Sequence, residues 1–300
     1  MIEIKEVSKE FDTIQAVSEL TLSIQKGCIF GLLGTNGAGK STLLRMLAGV
    51  LRPNKGSITI ENESVYENPR IKEKLFFIPE DAYFFNNTTP IQMMDYYSRI
   101  YPEYDRAQFL ELMERFGMDG KRRVQTFSKG MKKQLSILLG VASNARYLLC
   151  DETFDGLDPV MRQAVKSIFA ANVLKRELTP IIASHNLREL EDICDHVGLL
   201  HKGGVLLSED IEDMKFHIHK VQCVLPNDVM EHHLLKELDV LRCERSGSLL
   251  MITARGTKVE ILDCVNRHVP VYSEIIPLSL EEIFISETEV AGYEVKNIFF

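Results

Sequence analysis

The chain has 300 residues, a 45% apolar fraction and a net charge of −8 at pH 7. That length allows one large domain with a small one, or two medium domains, around ordinary buried cores. The acidic balance excludes a general nucleic-acid binder, which needs a basic footprint, and no stretch approaches the ~20 apolar residues of a membrane span. Met1-Ile2-Glu3-Ile4-Lys5-Glu6 lacks the basic region and apolar run of a signal peptide. Six scattered cysteines form no C-x-x-C pair, and Cys28, Cys150 and Cys194 sit in apolar contexts that suit reduced thiols. The expected location is cytoplasmic; if the chain serves a membrane, it does so as a peripheral subunit on the cytoplasmic face.

Residues 1–27 read as antiparallel strands, with Ile2 and Ile4, then Leu20, Leu22 and Ile24, at period two. The apolar run 28–33 is a buried strand that leads into Gly34-Thr35-Asn36-Gly37-Ala38-Gly39-Lys40-Ser41, a full match to G-x-x-x-x-G-K-[ST]. Leu43, Leu44, Met46 and Leu47 follow as the core face of a helix. The glycines let successive backbone N–H groups turn toward one anion, and the helix N-terminus adds its dipole. Lys40 can reach terminal phosphates, and the Ser41 hydroxyl suits Mg²⁺. Ser57–Ile60 and Leu75–Ile78 read as further strands, the second bounded by Pro79.

From about 90 to 146 helical spacing dominates, carried by Ile91, Met94 and Tyr97, then Phe109, Leu112, Met113 and Phe116, then Leu135, Leu138, Leu139 and Ala142. Ser128 N-caps the third of these helices, whose free N–H groups can also grip a phosphate. Lys121-Arg122-Arg123 and Lys132-Lys133 read as solvated faces. Strands and helices then alternate: strand 147–151, helix 159–175 with Asp158 as N-cap, strand 180–183, helix 187–194, strand 197–200. Past about 209 the order becomes βαββαβ, that of a split βαβ, ferredoxin-like unit, with a hairpin at Ser246-Gly247-Ser248 and a last helix over 279–287.

The strand Leu148-Leu149-Cys150-Asp151 ends in a carboxylate able to hold Mg²⁺ directly or through water. Glu152, one residue beyond, can face and deprotonate an attacking water. His185 follows another apolar strand, at the sheet edge where ligands bind, and reads as a γ-phosphate contact.

Over residues 1–208 the chain resembles the nucleotide-binding subunit of an ATP-binding cassette (ABC) transporter. The loop Gly34–Thr42 has the family's wording, Asp151 and Glu152 stand at its metal aspartate and catalytic glutamate, and His185 at its switch histidine. Phe127-Ser128-Lys129-Gly130-Met131 stands where the family carries L-S-G-G-Q, retaining Ser128 and Gly130. Gly156-Leu157-Asp158-Pro159 matches the D-loop, and Phe11 falls where an aromatic stacks on adenine. Glu80 replaces the usual Gln, a metal-touching position, so it adds negative charge and donates no hydrogen bond there.

The resemblance implies a P-loop NTPase fold: a parallel sheet, an antiparallel β subdomain and a helical subdomain over about 81–146, followed by a small α+β domain over 209–300. It implies ATP and Mg²⁺ as cofactors. It also implies a homo- or heterodimer closing on two ATP molecules, with Ser128, Gly130 and Asp158 completing the opposite site, and a transmembrane permease as partner. No nucleic acid is expected. The wording of the signature and of Leu278–Phe284 is similar to that of a bacterial exporter subgroup for drugs, peptides, lipids or ions. Two alternatives stand beside a transporter ATPase. One is a soluble cassette ATPase, against which speak the single cassette and the lack of heptads. The other is a low-turnover regulatory module, suggested by Glu80, Lys129 and Met131.

Overall fold

The computed structural model describes residues 1–290, with side chains described through 286. Residues 291–300, the end of the expected accessory domain, lie outside the described residues. The chain divides into two compact units, Met1–Ser208 and Glu209–Phe300.

In the first unit, β1 (Ile2–Phe11) pairs antiparallel with β2 (Ile14–Ile24). β3 (Phe30–Leu33) runs through the glycine-rich loop into α1 (Lys40–Leu47). β4 (Lys55–Ile60) and the short β5 (Glu63–Ser64) complete a sheet ordered β2-β1-β4-β5. The period-two residues Ile2, Ile4, Leu20, Leu22, Ile24, Ile58 and Ile60 are buried in one cluster with Leu43, Leu44 and Leu47 of α1. Register shifts beyond Ile4 and Lys5 bend β1. Gly56 packs on that bend at φ +77°, where a Cβ would sit 2.4 Å from the carbonyl oxygens of Lys5 and Glu6. Only glycine fits there.

The short α2 (Pro69–Lys72) precedes β6 (Leu75–Ile78). Three longer helices follow: α3 (Pro90–Ile100), α4 (Arg106–Arg115) and α5 (Lys129–Ala142). Each starts on a side-chain cap: a reciprocal Thr89–Gln92 box with Pro90 first, Asp105 accepting from the Gln108 N–H, and Ser128 accepting from the Met131 N–H. β7 (Tyr147–Asp151), α6 (Pro159–Arg176), β8 (Thr179–Ser184), α7 (Leu187–Glu191), β9 (His196–His201) and β10 (Gly204–Asp210) complete the unit. The second sheet is ordered β10-β9-β3-β8-β7-β6, with β9, β3, β8, β7 and β6 parallel. Every residue of β3, β7 and β8 is buried, as parallel strands covered on both faces require. The loops after β3, β6, β7 and β8 therefore leave one edge of the sheet together, at the carboxyl ends where such sheets bind ligands.

The second unit contains α8 (Ile211–His217), β11 (Ile218–Val224), α9 (Asp228–Glu237), β12 (Asp239–Ser246), β13 (Leu249–Arg255), α10 (Lys258–Arg267), β14 (Tyr272–Ile276) and α11 (Leu280–Val290). Its sheet is antiparallel, ordered β12-β13-β11-β14. From β11 to β14 the element order is βαββαβ. Val221, Cys223, Leu234, Leu250, Ile252, Ile261 and Val265 form a core of its own. The strand β10 and the helix α8 had no expected counterpart. Gly204–Asp210 is only half-buried, and its polar end Ser208-Glu209-Asp210 masks the strand pattern.

Candidate functional site

Strand β3 is buried and apolar, so the chain must leave it through a turn that brings polar backbone to the surface. Gly39, at φ +102°, ends that turn as the N-cap position of α1, and a Cβ there would meet the Ala16 carbonyl oxygen at 2.5 Å. No side chain caps α1. Its first N–H groups are thus directed at the loop, as an anion site needs. The Lys40 ammonium donates to the Gly34 carbonyl at 2.5 Å and to the Thr35 carbonyl at 3.2 Å. It also lies 3.3 Å from Glu152 Oε1.

Glu152 sits one residue past β7 in a left-handed conformation, φ 47°, a strained geometry that non-glycine residues hold only where surroundings enforce it. Its Oε2 lies 2.9 Å from His185 Nδ1. A single carboxylate therefore bridges the loop lysine and the histidine after β8. The His185 turn is itself pinned: the Asn186 N–H donates to Ser184 Oγ, and Ser184 Oγ donates to the buried carboxylate of Glu189. Burial pushes the Glu189 carboxyl above its usual range, although the Ser184 hydroxyl and Arg162 oppose that shift.

Ser41 Oγ donates to Asp151 Oδ1 at 2.9 Å. Burial pushes the Asp151 carboxyl up, and the Ser41 hydrogen bond opposes the shift. A hydroxyl and a carboxylate side by side form an all-oxygen, hard donor set of the kind Mg²⁺ takes, and a buried anion is what a divalent cation relieves. The residues therefore fit the ion. A cavity of about 450 Å³ opens on this cluster, lined among others by Thr35, Asn36, Gly37, Thr42, Glu80 and Asp155. Gly34 and Ala38 belong to the same loop behind it; Ala38 is buried.

Not every expected residue is brought there. Phe11 is 42% exposed at the β1–β2 hairpin, under the Lys9 ammonium, and does not line the cavity; Ile14 and Gln15 of β2 do. Asp158 Oδ1 accepts from the Met161 N–H at 2.9 Å as the N-cap of α6. Ser128 and Gly130 lie at the start of α5 and are absent from the cavity wall.

Lys133 corrects the reading of Lys132-Lys133 as a solvated face. It is 3% exposed, and its ammonium donates to the backbone carbonyls of Glu152 at 2.6 Å and Asp155 at 2.7 Å. Burial pulls its pKa down, partly opposed by the Asp155 carboxylate. The signal was present: Lys133, Ile137 and Gly140 recur at helical spacing on the buried face of α5. Phe154 likewise serves the core, edge-on to Phe169.

The ABC transporter family profile matches residues 17–155. The chain is 30% identical over 287 residues to the ABC transporter ATP-binding protein YtrB of Bacillus subtilis (strain 168), covering 96% of this chain and 98% of that one. It is 31% identical over 218 residues to the bacitracin transport ATP-binding protein BcrA of Bacillus licheniformis, covering 72% and 71%. A solved ATP-binding subunit of an ABC transporter superposes with a TM-score of 0.66 at 25% identity, over 72% of this chain and 92% of that one. With the phosphate loop, the Lys40–Glu152–His185 cluster and the parallel sheet in place, the chain belongs to the ATP-binding, ATP-hydrolysing subunits of ABC transporters.

Proposed function

We propose that this subunit drives a membrane exporter by closing with a second ATP-binding subunit around Mg-ATP. The observation that carries the reading is the bridging position of Glu152 between Lys40 and His185. The loop N–H groups and Lys40 would hold the β- and γ-phosphates, and Ser41 and Asp151, with Glu80 lining the same cavity, would hold Mg²⁺. Bound Mg²⁺ neutralises charge on the phosphates. Glu152 takes the proton of the attacking water, and His185 orients the carboxylate and contacts the γ-phosphate. Ser128 and Gly130, which do not line their own cavity, and Asp158 are offered to the partner's nucleotide.

The permease docks on the aromatic groove after β6. This cavity of about 320 Å³ is lined by Phe77, Ala82, Tyr83, Phe85, Tyr96 and Tyr97 among others, and Tyr83 is 74% exposed. Only two residues separate Tyr83 from Glu80, so docking and nucleotide occupancy act on one short segment. Among the described residues no helix is long and apolar enough to cross a membrane, which suits a peripheral place on the cytoplasmic face. The signature wording and the segment Leu278–Phe284 favour export. Residues 209–300 form an accessory domain that stabilises or dimerises the subunit.

Co-expression with a candidate permease and transport assays in inverted vesicles, with ATP outside on the cytoplasmic face, test this reading: ATP-dependent substrate accumulation inside supports export, and ATP-dependent loss of substrate preloaded inside reverses it. The double change Tyr83→Asp and Phe85→Asp is expected to remove permease co-purification while ATP binding by the isolated subunit persists. Retained co-purification would move the docking site elsewhere.

Glu80 shares the cavity with Glu152 and Asp155, and their combined negative charge opposes a nucleotide that arrives without metal. Glu80→Gln is expected to tighten metal-free ATP binding about fivefold, equivalent to about 1 kcal/mol. Titrations in Mg²⁺ and in chelator would then show a narrower gap than in the unaltered chain. An unchanged gap would remove Glu80 from the electrostatics of the site.

A further inference from the structure

Glu237, Cys264 and His268 offer ligand atoms that all lie within 4.8 Å of one another, the one such group among the described residues. All three belong to the second unit and take no part in the ATP site. Cys264 and His268 are four apart, so they stack on one side of the end of α10. Glu237 is the last residue of α9. Both helices end at this cluster, and helix C-termini carry partial negative charge that favours a cation.

His268 Nε2 is buried and has no hydrogen-bond partner. Leaving a buried polar atom unpaired is costly, and a native structure normally gives it a partner. Its nearest charged atom is Glu237 Oε1 at 3.4 Å. Cys264 Sγ lies 3.5 Å from Glu237 Oε2. Tetrahedral zinc, with bonds of about 2.0–2.3 Å, separates neighbouring ligand atoms by about 3.3–3.6 Å. The spacing between His268 Nε2 and Glu237 Oε1 is therefore that of a tetrahedral edge, while the Cys264 thiol donates to the other carboxylate oxygen and lies close enough to complete the group. The exposed Arg267 guanidinium, 3.2 Å from Glu237 Oε2, steadies the carboxylate from outside and leaves Oε1 free to ligate.

We propose that Glu237, Cys264 and His268 form a divalent-metal site of the zinc class, with a fourth position for water. Thiolate and imidazole donors select zinc or a similar borderline-soft ion over Mg²⁺ and Ca²⁺. On binding, the Cys264 thiol gives its proton to solvent as the sulfur–metal bond forms, so affinity rises with pH. The ion ties the end of α9 to the end of α10 and stabilises the folded unit by mass action.

The test uses the full chain, stripped by chelator and titrated with Co²⁺ and then Zn²⁺. One equivalent of Co²⁺ is expected to give a near-ultraviolet thiolate-to-metal band that Zn²⁺ abolishes, and Zn²⁺ is expected to raise the thermal midpoint. Cys264→Ser is expected to lose the band, His268→Ala to weaken Zn²⁺ binding at least about tenfold, and Cys243→Ser, at an exposed cysteine outside the cluster, to change neither. Failure of the unaltered chain to take up either ion overturns the proposal, as does a band that survives Cys264→Ser. If that variant does not fold, Glu237→Gln decides at an exposed position: weakened Zn²⁺ binding supports the site, and unchanged binding overturns it.

Discussion

Glu152→Gln is expected to lower ATP turnover by about 10²–10⁴-fold, the usual contribution of a positioned general base, and to leave ATP binding in place. The substitution keeps the shape of a side chain that is 10% exposed and removes only its charge and proton affinity. Lys40 loses its 3.3 Å ion-pair partner but keeps both loop carbonyls, so the phosphate cradle survives. Turnover measured beside equilibrium nucleotide binding separates the two effects. A Gln variant that hydrolyses ATP at the original rate would transfer the base role to another group. A variant that no longer binds ATP would make Glu152 part of the cradle.

The largest expected loss of stability comes from Lys133→Leu. The leucine fills most of the volume but leaves the carbonyls of Glu152 and Asp155 without their donor. Hydrogen bonds to charged groups contribute about 1.5–3 kcal/mol each. A total cost of about 3 kcal/mol, after partial relaxation, lowers the melting temperature by roughly 6–12 °C for a unit of this size. Turnover falls as well, because the left-handed backbone at Glu152 is then held only by its neighbours in β8, including the bond from its N–H to the Ala183 carbonyl. Thermal unfolding and ATPase rate check both parts. A variant as stable as the original would show that water replaces the ammonium freely, contrary to its burial.

These two residues mark the boundary between what is legible in a sequence and what is not. Glu152 could be singled out because its proposed role depends on a fixed offset: an apolar strand, a carboxylate at its end, and a second carboxylate one residue later. Gly34–Ser41 and His185 share that property, since each is tied to the end of one buried strand. Lys133 has no local mark beyond its spacing from Ile137 and Gly140. Its partners are carbonyls 19 and 22 residues away, and a lysine on a helix is ordinarily solvated. Phe11 stands at the β1–β2 hairpin, exposed and outside the cavity wall, a position its local sequence does not specify.

The amino-acid sequence by itself determined the strand–loop–helix of the proposed phosphate site, the acidic pair at the end of β7, the capped helices between them, and the alternating pattern that makes a parallel sheet. These follow from backbone conformation, capping and periodicity, which act over a few residues. Only the tertiary structure decided that Glu152 bridges Lys40 and His185 and that Lys133 anchors the backbone at Glu152 and Asp155. It alone brought Glu237 to Cys264 and His268. Each of these joins side chains on separate elements, and their meeting depends on how strands are ordered and helices laid against them, which long-range packing sets.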